Sequence, residues 1–71
     1  MEAFAYLYKN YIIKTMIQEQ INRLVATLQA LTLQRMNALR MGKASEAQQI
    51  QSVQTDIDSK IHELQRQLSS H

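Results

Sequence analysis

The chain has no cysteine, no proline, no tryptophan and one glycine among 71 residues. Without cysteine there is no disulfide framework and no thiolate metal site, and such usage suggests a reducing compartment. With no proline anywhere and glycine only at position 42, nothing obliges a helix to break over the first 41 residues. Long apolar runs are also missing. Glu2, Lys9, Asn10 and Lys14 interrupt the apolar N-terminus well short of the about 20 residues that cross a bilayer, and no small-residue cleavage site follows a basic start. A cytoplasmic chain with no membrane insertion is expected. The net charge is only +2, and the eight Lys and Arg residues are scattered. Without a basic stripe, a nucleic-acid partner is not expected.

What is present is helical periodicity on both sides of Gly42. Glycine tolerates the left-handed conformation that closes a helix C-terminus, so Gly42 followed by Ser45-Glu46-Ala47-Gln48 reads as a stop and then a start, with Ser45 and Gln48 forming a capping box. Before the break, Ile17, Ile21, Leu24 with Val25, Leu28, Leu31, Met36 and Leu39 recur at intervals of about three and four. After it, Ile50, Val53, Ile57, Ile61, Leu64 and Leu68 make a narrow stripe of the coiled-coil kind, with a Gln-rich face opposite. Residues up to Gly42 sum to +3 and those from Lys43 onward to −1, so the arms are weakly complementary. The expected fold is all-α: an antiparallel two-helix hairpin, coiled-coil-like, with helices over 17–41 and 45–69 and a turn at 42–44. Residues 1–16 form an N-terminal helical extension of this single domain.

The arms are unequal. A second helix of about 37 Å covers the first only back to about residue 17. The remainder holds all four aromatics, Phe4, Tyr6, Tyr8 and Tyr11, beside Leu7, Ile12 and Ile13. Exposed patches of this kind mark interfaces, so the expected partner-binding residues are Phe4, Leu7, Tyr8, Tyr11 and Ile12. Two arrangements compete with a foreign partner: residues 1–14 folding back as a short third helix, bending near Lys9-Asn10, or two copies covering each other as a four-helix bundle.

Catalytic chemistry finds no foothold. His62 lies four residues after Asp58, the spacing of a surface pair on a helix, and His71 is terminal. Asp56 and Asp58 point to different faces. No glycine loop exists to cradle a phosphate, and Met16, Met36 and Met41 read as core filling rather than as an adaptable binding surface. No enzyme activity, no metal and no cofactor are expected.

Leu24, Leu28 and Leu31, the Ala38-Leu39-Arg40-Met41-Gly42 approach to the turn and Glu46-Ala47-Gln48-Gln49 after it resemble the small needle co-chaperones of bacterial type III secretion systems, over roughly residues 21–68. That family often has an aromatic shortly after the turn, where this chain has Ala47. The resemblance implies a helical hairpin that packs on a larger helical-repeat chaperone and helps to keep the needle subunit soluble before export. Gln54-Thr55-Asp56-Ile57-Asp58, with Ile61 and Glu63, is similar to the Ser-Gln-Glu-Leu-Asp signature of small sporulation aspartyl-phosphate phosphatases. Gln54 stands for its Ser and Leu64 for its later Tyr. The alternative functions are therefore a self-associating homodimeric four-helix-bundle regulator, of a kind that phages also carry, and such a phosphatase.

Overall fold

A computed structural model describes residues 2–70, the side chains of Glu2, Ala3, Phe4 and Tyr6 excepted. Two helices pack against each other: α1, Glu2–Arg40, and α2, Ala44–Ser70. The all-α antiparallel hairpin expected from the sequence is what forms. Its envelope is 62 × 15 × 11 Å, and the long dimension is close to the about 58 Å of a 39-residue helix.

The first helix is longer than its apolar stripe. It runs without interruption from Glu2, so residues 2–16 continue the helix over 17–40 and do not fold back near Lys9-Asn10. The residues permit this, since Ala, Leu, Gln, Met and Arg dominate and neither glycine nor proline intervenes. Threonines, poor helix formers because their hydroxyls compete for the backbone, are accommodated by bonding back one turn. Thr15 Oγ1 donates to the Tyr11 carbonyl at 2.9 Å, Thr27 Oγ1 to Arg23 at 3.0 Å and Thr32 Oγ1 to Leu28 at 2.9 Å.

Gly42 has φ +76°, in the left-handed region, and terminates α1. The Gly42 amide donates to the Leu39 carbonyl (3.1 Å) and the Lys43 amide to the Ala38 carbonyl (2.8 Å). These paired bonds make a Schellman motif and satisfy carbonyls that the helix end would leave open. The linker is so short that the second helix starts earlier than its sequence signal. The Ala47 amide already donates to the Lys43 carbonyl at 3.0 Å, which makes Lys43 the N-cap. Ser45 and Gln48 then lie too far inside the helix for a capping box. Glu46 occupies the third helical position, where its charge suits the helix dipole and its carboxylate lies 3.9 Å from Lys43 Nζ.

The interface is a heptad seam. Ile17, Ile21, Ile61 and Leu64 form the buried cluster, with Leu24, Leu28, Ile57 and Leu68 packed against it, and Ala38 and Ala47 are buried near the turn. On α1 the seam positions are 17, 21, 24, 28, 31, 35 and 38, and on α2 they are 47, 50, 54, 57, 61, 64 and 68. Six expected core residues are displaced. Met36 (51% exposed), Leu39 (57%) and Val53 (47%) face solvent, while Arg35, Ala38 and Gln54 hold the seam at those levels, and Met16 (56%), Val25 (37%) and Met41 (63%) are exposed beside it rather than filling the core. Steric room explains the alanines, because a three-residue linker forces the helix axes close together beside it. Gln54 finds a partner across the seam, its Nε2 donating to Thr32 Oγ1 at 2.8 Å. Among the described residues this is the one side-chain hydrogen bond between the helices. It sets a register in which Ile17 stands opposite Leu68, Ile21 opposite Leu64 and Ala38 opposite Ala47.

Candidate protein interface

In that register Ser70, where α2 ends, stands at the level of Thr15 on α1, and α1 goes on without it. The seam spacings alternate between four and three, so the next positions outward from Ile17 are Lys14, Asn10 and Leu7, and Ile13, 40% exposed, lies off that line. At the step left by the end of α2 lies an open cleft of about 410 Å³, walled by Tyr11, Lys14, Thr15 and Gln18 with Leu68 on its floor. A helix entering along the line of α2 would meet this cleft first and the bare seam of α1 next.

The residues expected to bind a partner lie on this overhang. Leu7, Tyr8 and Tyr11 are 64%, 63% and 70% exposed, and Ile12 is half-covered at 38%. At about 100° per residue these four share one side of α1, Leu7 on the continued seam line and Tyr8, Tyr11 and Ile12 progressively further round from it. The Phe4 side chain, like Met1 and His71, lies outside the described residues. Aromatic rings presented on one helix lose little conformational freedom when buried, and each tyrosine adds a hydroxyl that can bond at the rim.

Sequence periodicity alone missed two features. The seam beyond Ile17 passes through Lys14 and Asn10 to Leu7, which is found by counting heptads outward. Leu33, Met36 and Leu39 are exposed on α1 near the turn, at 69%, 51% and 57%. The same count, fixing Arg35 and Ala38 as seam positions, would have released Met36 and Leu39 from the core.

Elsewhere the surface is polar. Leu28, Thr32, Arg35, Gln51, Gln54 and Asp58 line a groove of about 330 Å³ between the helices, and the buried Nε of Arg35 has no hydrogen-bond partner there. His62 Nδ1 lies 3.6 Å from Asp58 Oδ2 with both side chains mostly exposed, the surface pair that their spacing suggests. Among the described residues no three His, Asp or Glu side chains gather into a metal-binding group, and no helix is long and apolar enough to cross a membrane. No family model matches the chain, and no curated protein or solved structure matches it significantly.

Proposed function

We propose that this chain is a protein-binding co-chaperone, which docks its aromatic overhang on a larger helical partner. The observation that carries the reading is the step. α1 runs on for about three turns beyond the end of α2 with Leu7, Tyr8, Tyr11 and Ile12 exposed along one side, and an open cleft marks the place where a further helix would begin. A hairpin of this shape completes another protein's helical layer, its own α2 serving to hold α1 straight and soluble. The resemblance to needle co-chaperones of type III secretion supplies the particular version. There the partner is a helical-repeat chaperone, the cargo is the needle subunit, and the complex acts in the cytoplasm before export.

Capture from the native host by the wild-type chain, set beside Tyr8→Ala with Tyr11→Ala and, separately, Leu7→Glu, tests the reading. Recovery of a helical-repeat protein together with a small secreted subunit is expected, falling at least tenfold for both variants while circular dichroism shows the hairpin intact. Equal recovery by all three would remove the overhang as the interface.

A further inference from the structure

A second groove runs along the flank of the hairpin opposite to Tyr8 and Tyr11. On α1 the positions 13, 16, 20, 23, 27 and 30 follow one another at intervals of three and four beside the seam, and positions 53, 60 and 67 of α2 stand on the same flank. At its middle Gln20, Arg23 and Leu24 of α1 and Lys60 and Leu64 of α2 line a cleft of about 330 Å³. Leu64 is buried and Leu24 half-buried, so the floor is apolar, while Arg23 and Lys60 are exposed and stand on opposite helices. Two cations therefore share one cleft. Glu19 lies one turn from Arg23, and Asp56 and Glu63 one turn from Lys60, yet none of them pairs with either; the ion pairs among the described residues are Lys43 with Glu46 and His62 with Asp58. Beyond the cleft the flank is apolar at both ends. Ile13 and Met16 are exposed toward the start of α1, and Val53, level with Thr32 in the hairpin register, is exposed toward the turn.

We propose that this flank is a second docking surface, for an amphipathic helix of another protein that carries an Asp or Glu near its middle with apolar residues to either side. The order of the flank sets that chemistry. From Ile13 to the level of Val53 is about 28 Å at 1.5 Å per residue, and over that length the flank reads apolar, cationic, apolar. The incoming carboxylate is held between Arg23 and Lys60, where the planar fork of arginine can bond both its oxygens and lysine adds a point charge. Exposed ion pairs usually contribute little, but here an apolar floor below and a helix above exclude water while two cations act on one anion. Apolar residues of the helix toward its two ends pack on Ile13 with Met16 and on Val53. A neutral or basic helix would cover both cations without supplying a partner, so the same charges reject it. The proposal goes beyond the overhang reading: the cleft lies on the body of the hairpin, and Tyr8 and Tyr11 take no part in it.

The probe is a displayed library of helical peptides of about 20 residues, apolar along one face and randomised beside it, selected on the full-length chain. Expected is enrichment of Asp or Glu near the middle, and the selected peptide should bind at least tenfold more weakly to Arg23→Gln with Lys60→Gln. Arg23→Glu with Lys60→Glu should select Lys or Arg at that position instead. Both side chains are exposed and outside the seam, so circular dichroism should show an intact hairpin in each variant. Tyr8→Ala with Tyr11→Ala should bind the peptide as the wild type does. Selection without an acidic preference, or equal binding to the Gln variant, overturns the proposal. So does loss of binding in the tyrosine variant, which would put the peptide on the overhang. Dodecanoate is titrated alongside as a different occupant for an apolar cleft with two cations. If it binds through Arg23 and Lys60 while no acidic peptide is enriched, the site belongs to an anionic amphiphile and the helix proposal fails. Each of these failures leaves the co-chaperone reading standing, because capture at the overhang turns on Leu7, Tyr8 and Tyr11, and failure of that capture leaves the peptide result standing in turn.

Discussion

At the scale of single residues, the conformation of Gly42 is worth more than its size. A Cβ built there meets no heavy atom within 4 Å, so the site has room for a methyl group. What excludes other residues is φ +76°, which costs an L-residue about 1–2 kcal/mol. Gly42→Ala should therefore lower the unfolding free energy by about 1 kcal/mol or somewhat more, and Gly42→Asn by less, since asparagine visits the left-handed region more readily. Urea titrations followed by circular dichroism would show it. An Ala variant as stable as wild type would mean that the turn relaxes to another conformation without loss. His62 illustrates the opposite case, a residue that invites a chemical reading and makes only an exposed contact to Asp58, of the kind that contributes little.

At the scale of elements, the seam explains both what could be read from the sequence and what could not. The existence of two helices, their antiparallel arrangement and the break between them follow from Gly42 and from apolar spacing, and all three are present. The interior assignments near the turn went astray because hydrophobicity was allowed to outweigh period. Met36, Leu39 and Val53 are apolar, but strict heptad counting gives those levels to Arg35, Ala38 and Gln54, and geometry follows the count. The helix start moved from Ser45 to Ala44 for a related reason: the Schellman bonds fix the chain's exit direction, and Lys43 becomes the cap without any sequence signal for it. The overhang itself was legible, since unequal arm lengths need only the position of the glycine.

That polar seam also has an energetic consequence. Gln54 and Arg35 occupy levels where leucine would pack, and a polar residue in such a seam lowers stability while favouring one register. Gln54→Leu should raise the unfolding free energy by about 1 kcal/mol, since it exchanges one hydrogen bond for apolar contact. Arg35→Leu should act in the same direction by removing a buried Nε that has no partner. A lower denaturation midpoint for Gln54→Leu would show that its bond to Thr32 contributes more than the packing gained.

At the scale of the whole molecule, the two parts of α1 stand on different footings. From Ile17 to Ala38 the helix is held by tertiary packing against α2. From Leu7 to Lys14 it is held by helix propagation alone, with the cost of nucleation already met by the segment that follows. Propagation adds little per residue, and tyrosine and isoleucine are only moderate helix formers, so opening from this end takes much less free energy than opening the seam. Amides of residues 7–13 should therefore exchange with deuterium at least tenfold faster than those of residues 20–31 when the chain is dilute. Burying the aromatic side changes only the first group. Adding a captured partner should slow exchange at 7–13 and leave 20–31 nearly unchanged. Equal protection of the two segments in dilute solution would mean that the overhang is stabilised by something other than helix propagation. Slowing confined to 20–31 would place the contact on the hairpin instead of the overhang.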